Sequence, residues 1–190
     1  MAKPLVLITG ATDEQKEHWL RKIAEEGALA SYAVTEPGAG SDVAACTTTA
    51  IRDGDEYVIN GQKIWTSRAE HSDLMLLLAR TSPLGDGMKK TQGLSVIWLD
   101  MKAALASGAM TIRPIQTMMN HATTEVFFDN LRVPAENLIG KEGEGFIYQM
   151  QQFQHERFSA IPMSYISAEE IIAMTVEHIR QRIVFGKPLI

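Results

Sequence analysis

The chain has 190 residues, 45% of them apolar and 22% charged, with a formal net charge of −5. That is enough for one domain and part of a second, with a sizeable core. The scattered charge, with no Lys/Arg stripe, argues against a nucleic-acid surface, and no apolar run reaches the roughly 20 residues of a membrane-spanning helix.

A single cysteine, Cys46, leaves no internal disulfide or thiolate cluster. His18, His71, His121, His155 and His178 are too dispersed for a metal-ligand motif. With no secretory signal, the expected location is the cytoplasm or an equivalent compartment such as the mitochondrial matrix.

Pro4 to Thr12, PLVLITGAT, runs an apolar segment into Thr-Gly-Ala in the manner of a dinucleotide-binding unit. The next residues, Asp13, Glu14, Gln15 and Lys16, lack the required glycines and set acids where a phosphate would sit. Thr12 reads instead as an N-cap with Gln15 completing a capping box. That predicts a helix over 13–26 with Trp19, Leu20 and Ile23 on its buried stripe, stopped at Gly27.

TEPGAGSD, Thr35 to Asp42, packs two hydroxyls, a carboxylate, a proline and two glycines into one loop. Gly38 and Gly40 allow either a positive φ or close approach to a ligand, and Pro37 stiffens the entry. The residues read as an ordinary tight turn or as a rigid loop presenting donors to an anion or a heteroaromatic edge.

From Ala30 to about Asn130 the pattern is β. TTTAIRDGDEYVINGQKIWTS predicts three strands joined by turns at Asp53-Gly54 and Asn60-Gly61. Leu74–Arg80 and Gly93–Asp100 are continuous apolar runs, as in strands buried on both faces. MTIRPIQ and TEVFFDNLRVP add further strands, for an antiparallel barrel or two-sheet sandwich of about seven or eight strands. After VPAENLIGKEGEGF the period becomes helical, predicting a hairpin of two helices, Phe146 to about Pro162 and Ser164 to Val184, with Pro162 kinking the first.

Five segments, in order, resemble the acyl-CoA dehydrogenase family: DEQKEHWL, SYAVTEPGAGSDV, INGQKIWTS, EVFFDNLRVPAENLIGKEGEGF and RIVFGKPL. The resemblance implies an α+β chain cut at both ends. Residues 1–29 would hold the last helix of an N-terminal helical domain, 30–143 a β middle domain, and 144–190 the first helical hairpin of a C-terminal helical bundle. It further implies FAD as cofactor, acyl-CoA as substrate, an electron-transfer flavoprotein as acceptor, and a homodimer or homotetramer. Relatives on the same architecture work as flavin oxidases or monooxygenases, and an inactive fragment or ligand-binding remnant is a further alternative.

By the same resemblance, Tyr32, Val34 and Thr35 would line the pyrimidine end of the flavin, with Gly40 and Ser41 near the diphosphate and thioester. Trp65 would pack on the flavin, although a strand tryptophan taken alone reads as core or cross-strand packing. Ser67 would donate toward N5, and here the chain reads Trp65-Thr66-Ser67 where the family usually has Trp-Ile-Thr. Arg182 and Phe185 match a pair that reaches a partner subunit's cofactor; alone, Arg182 reads as a cation at a helix C-terminus. Glu156 matches the catalytic base of a minority of members, with Arg157 beside it at the pantetheine end of the pocket. On the residues alone, Glu156 is equally a solvated or Arg-paired helix glutamate.

Overall fold

A computed structural model describes residues 10–119 and 122–190. The Pro4–Ile8 segment and His121 therefore lie outside the described residues. The chain divides into two units, the first running to Gln151 and the second from Gln152 to Ile190.

Helix α1, Asp13–Glu25, opens on the expected capping box: Thr12 Oγ1 accepts from the Gln15 amide while Gln15 Oε1 accepts from the Thr12 amide. The Gln15 side chain also donates to the carbonyls of Glu136 and Leu138, at 2.7 and 2.9 Å. Trp19 is the buried residue of the helix and meets Trp98 edge-on, with ring centroids 4.4 Å apart. Leu20 and Ile23 are only half-buried. Gly27 ends the helix at φ 74°.

Among the described residues, eight strands form one sheet: β1 Ala30–Ala33, β2 Thr49–Asp53, β3 Glu56–Ser67, β4 Leu74–Arg80, β5 Leu94–Asp100, β6 Met110–Pro114, β7 Thr123–Pro134 and β8 Leu138–Ile139. The order is β6-β7-β3-β2-β4-β5-β8, with β1 paired to β4. The sheet is mixed, because β1 and β2 both meet β4 in parallel, and it does not close into a barrel. The α+β class holds. Every residue of β4 is buried, as its unbroken apolar run predicts.

Asp53-Gly54 makes the expected hairpin, with Asp53 paired to Glu56. Arg132 clasps its tip, reaching Asp53 and Glu56 at 2.8 Å each. Asn60-Gly61 is not a turn, because β3 runs straight through it with a register shift against β7. Gly61 sits at φ 146°, where a Cβ would lie 2.6 Å from Thr48 Oγ1 and 2.7 Å from Thr48 Cα. Glycine is thus required here by backbone approach rather than by chain reversal. Gly61→Ala is expected to cost on the order of 2–4 kcal/mol through overpacking and backbone strain, read as a lowered urea midpoint; an unchanged midpoint contradicts the account.

A short helix, α2 (Met101–Ala106), was not expected; the Asp100 carboxylate caps it by accepting from the Ala103 amide at 2.9 Å.

Helix α3, Gly145–Gln181, is continuous and includes Pro162, where the sequence suggested two helices. A proline deletes one donor, and the ladder on either side carries the helix past it. The hydroxyls of Ser159 and Ser164 donate to the carbonyls of Glu156 and Ala160 around that point. The helix ends at Gln181 rather than Val184, because β9 (Ile183–Val184) and β10 (Lys187–Pro188) form a hairpin. Phe185 and Gly186 are its two-residue loop, at φ 53° and 77°. Among the described residues no helix is long and apolar enough to cross a membrane.

Candidate functional site

The segment after β1 is fixed to β3 from behind. The Ile64 amide donates to the Thr35 carbonyl at 2.9 Å, and Lys63 Nζ donates to the Val34 carbonyl at 3.0 Å. Glu36 and Ala39 exchange two backbone hydrogen bonds of 3.1 Å, so Pro37-Gly38 forms the tip of a tight turn. Neither Gly38 nor Gly40 lies in the left-handed region, and a Cβ on either would meet nothing within 4 Å. Of the two uses open to these glycines, the structure leaves room for close approach.

The carboxylate of this loop points inward. Glu36 is 4% exposed and Lys63 0%, and they form an ion pair of 2.8 Å. Glu36 also accepts from the Thr47 amide at 2.7 Å, the Thr47 hydroxyl at 2.6 Å, the Thr48 amide at 2.9 Å and the Cys46 thiol at 3.0 Å. Burial alone would raise the Glu36 pKa. The Lys63 ammonium, together with hydrogen bonds from Cys46, Lys63 and Thr47, outweighs burial and holds the carboxyl well below the usual carboxylate range.

A depressed folded-state pKa gives stability that is present above the ordinary value of 4.5 and is lost as pH falls below it. The acid limb of wild-type stability below pH 4.5 should therefore be steeper than that of Glu36→Gln/Lys63→Met, as measured by urea unfolding at a series of pH values; equal slopes would refute the role of the pair.

The ligand-facing candidates stand in front of this pair. Thr35 is half-buried, and its hydroxyl makes no hydrogen bond among the described residues. Trp65 is 56% exposed and sits at φ 61°, within a register shift between Lys63 and Thr66. A bulky residue in the left-handed region is strained, and a bulge re-aims its side chain. Core packing, the ordinary role of a strand tryptophan, is therefore not its role in this chain.

Ser67 is exposed at the end of β3, opposite Thr123, while Thr66 turns inward at 2% exposure. Tyr32 is half-buried on β1 opposite Leu76, and Val34 is buried. Gly40 and Ser41 are exposed just past the Pro37-Gly38 turn.

In the second unit, Glu156 is exposed and accepts from the Gln152 side chain at 3.1 Å. It forms no ion pair with Arg157, whose guanidinium lies over the Phe153 ring at 5.7 Å. Neighbours in a helix do not face each other. Arg182 follows the helix end, its amide donating to the His178 carbonyl, and Phe185 is 99% exposed at the hairpin tip. Two aromatic residues, Trp65 and Phe185, are thus held outward in left-handed backbone.

A family model described as acyl-CoA dehydrogenase, middle domain, matches residues 31–131, and one described as acyl-CoA dehydrogenase, C-terminal domain, matches residues 143–190. Among curated relatives, the chain is 39% identical to acyl-CoA dehydrogenase FadE26 of Mycobacterium tuberculosis over 83% of its own length and 38% of that protein's. It is 36% identical to cyclohex-1-ene-1-carbonyl-CoA dehydrogenase of Geobacter metallireducens over 97% of its own length and 48% of that protein's.

Among solved structures, an acyl-CoA dehydrogenase from Geobacillus kaustophilus superposes with a TM-score of 0.88 at 34% identity, covering 97% of this chain and 48% of that one. Butyryl-CoA dehydrogenase from Megasphaera elsdenii gives 0.85 at 30% identity, covering 98% and 48%. The chain spans about half the length of these relatives or less.

Proposed function

Because the chain belongs to the acyl-CoA dehydrogenase family, we propose that the face carrying Thr35, Trp65 and Ser67 holds FAD and serves the α,β-dehydrogenation of acyl-CoA thioesters. The observation that carries this reading is Trp65, exposed and strained at a bulge whose preceding amide is bonded to the Thr35 carbonyl. These residues fit a flavin. A flat aromatic ring offers a stacking surface, an uncommitted hydroxyl at Thr35 offers a donor, and open space beside Gly38 and Gly40 admits a large ring system.

FAD, when bound, supplies the hydride acceptor. Tyr32, Val34 and Thr35 would hold the pyrimidine end of the ring, offering donors fixed in advance that need no rearrangement. Ser67 supplies a hydroxyl toward the ring, and Gly40 and Ser41 meet the diphosphate and the thioester. Glu156 removes the α-proton of the thioester, and Arg157 orients the pantetheine end. Arg182 and Phe185 reach the cofactor of a second copy in a homo-oligomer, where a planar cation suits phosphate and the exposed ring suits an apolar wall. An electron-transfer flavoprotein takes the electrons onward. The domain limits that accompany this reading are 1–29, 30–143 and 144–190.

The test is spectroscopic. The purified chain loaded with FAD and mixed anaerobically with acyl-CoA thioesters of several lengths should bleach in the flavin band. Bound flavin that never bleaches with any thioester overturns the dehydrogenase reading.

A further inference from the structure

We infer that the buried Glu36–Lys63 pair is a positioning device for the ligand-facing residues Thr35 and Trp65, an inference that rests on the flavin reading above. Lys63 Nζ has three protons and three acceptors: the Val34 carbonyl at 3.0 Å, Glu36 Oε1 at 2.8 Å and Cys46 Sγ at 3.3 Å. Glu36 in turn gathers the amides of Thr47 and Thr48, the Thr47 hydroxyl and the Cys46 thiol. One ion pair therefore joins three separate stretches of chain: 34–36, 46–48 and β3 at residue 63.

The pair has no route to a ligand of its own, being 0% and 4% exposed, so whatever it does passes through its neighbours. Those neighbours are specific. Val34 and Lys63 are joined side chain to carbonyl, and the next residues along, Thr35 and Ile64, are joined backbone to backbone at 2.9 Å. Thr35 and Trp65 are thus each within two residues of the pair, and Trp65 is held in a backbone conformation it would not choose alone.

Stability by itself is a poor reason to bury two charges, since well-packed neutral residues of similar size often serve as well. A fixed geometry is a better one, because a binding residue displaced by about 1 Å loses much of its effect.

The decisive variant is Glu36→Gln/Lys63→Met, which removes both charges and keeps the volumes close. It should fold with a melting temperature near that of wild type, bind FAD about tenfold or more weakly because its aromatic contact is misplaced, and show stronger emission from the bound flavin because Trp65 no longer quenches it in place. A cofactor-independent readout accompanies it. Burial pushes the Cys46 thiol up to about 11, so wild type should resist iodoacetamide near neutral pH, and the variant should alkylate faster as its three stretches loosen.

FAD affinity, flavin emission and Cys46 labelling all equal to wild type in a folded double variant would overturn the positioning role and leave the flavin reading intact. A wild-type chain that is folded yet does not bind FAD overturns both. Should the double variant not fold, Glu36→Asp keeps the charge and shortens its reach by one methylene; it should fold and still weaken FAD binding, and unchanged binding there overturns the role.

Discussion

Lys63→Met alone should lower the unfolding free energy by about 3–5 kcal/mol, the cost of leaving a buried charge without its partner. The Glu36 carboxylate would keep its bonds from Thr47 and Thr48 but lose the ammonium that offsets its burial. It must then either stay charged in a poorly solvating site or take up a proton, and both options are unfavourable near neutral pH. The Val34 carbonyl also loses its donor.

Adding Glu36→Gln to that variant should recover most of the loss, because the two sites share one interaction and their effects are not additive. Urea unfolding of the two single variants and the double variant checks this. A Lys63→Met protein within about 1 kcal/mol of wild type, the value ordinary for exposed pairs, would contradict the burial and pairing described.

Glu156→Gln should slow flavin reduction by an acyl-CoA about 10²–10⁴-fold, the contribution typical of a general base. The substitution is close to isosteric, at an exposed helix position where Glu156 accepts a hydrogen bond from the Gln152 side chain, so fold and FAD affinity should not move. Stopped-flow reduction under anaerobic conditions separates the cases. A reduction rate within about threefold of wild type, too small a change for a lost general base, would remove Glu156 from the mechanism. A loss of FAD affinity with the reduction rate unchanged would reassign it to binding.

Much of the fold was legible because its signals are local. The capping box at Thr12 and Gln15, the Gly27 stop, the Asp53-Gly54 hairpin and the apolar run of β4 each lie within a few residues of one another. Asn60-Gly61 misled because the same dipeptide that favours a turn also serves a bulge, and the choice was made by Thr48, twelve residues before Asn60. Pro162 misled for a related reason: a missing donor is a local penalty, whereas the helix on either side of it is long.

The ion pair behind the loop was not anticipated, since Glu36 and Lys63 are 27 residues apart. One signal could have found it. The alternation of Tyr57 and Ile59 toward the core carries on to Lys63, which sets an ammonium on the inward face and demands a buried acid nearby. The resemblance carried by SYAVTEPGAGSDV and INGQKIWTS proposes Thr35, Trp65 and Ser67 as ligand-facing residues, and the Ile64–Thr35 bond ties the segment after β1 to β3, the strand that carries Trp65 and Ser67.

The most direct measurement is a titration of the purified chain with FAD, followed by flavin fluorescence, for wild type and Trp65→Ala. Wild type should bind saturably with strong quenching, and the variant should show both weaker binding and brighter bound flavin. A folded wild-type chain that leaves flavin emission unchanged at every concentration would contradict the flavin reading.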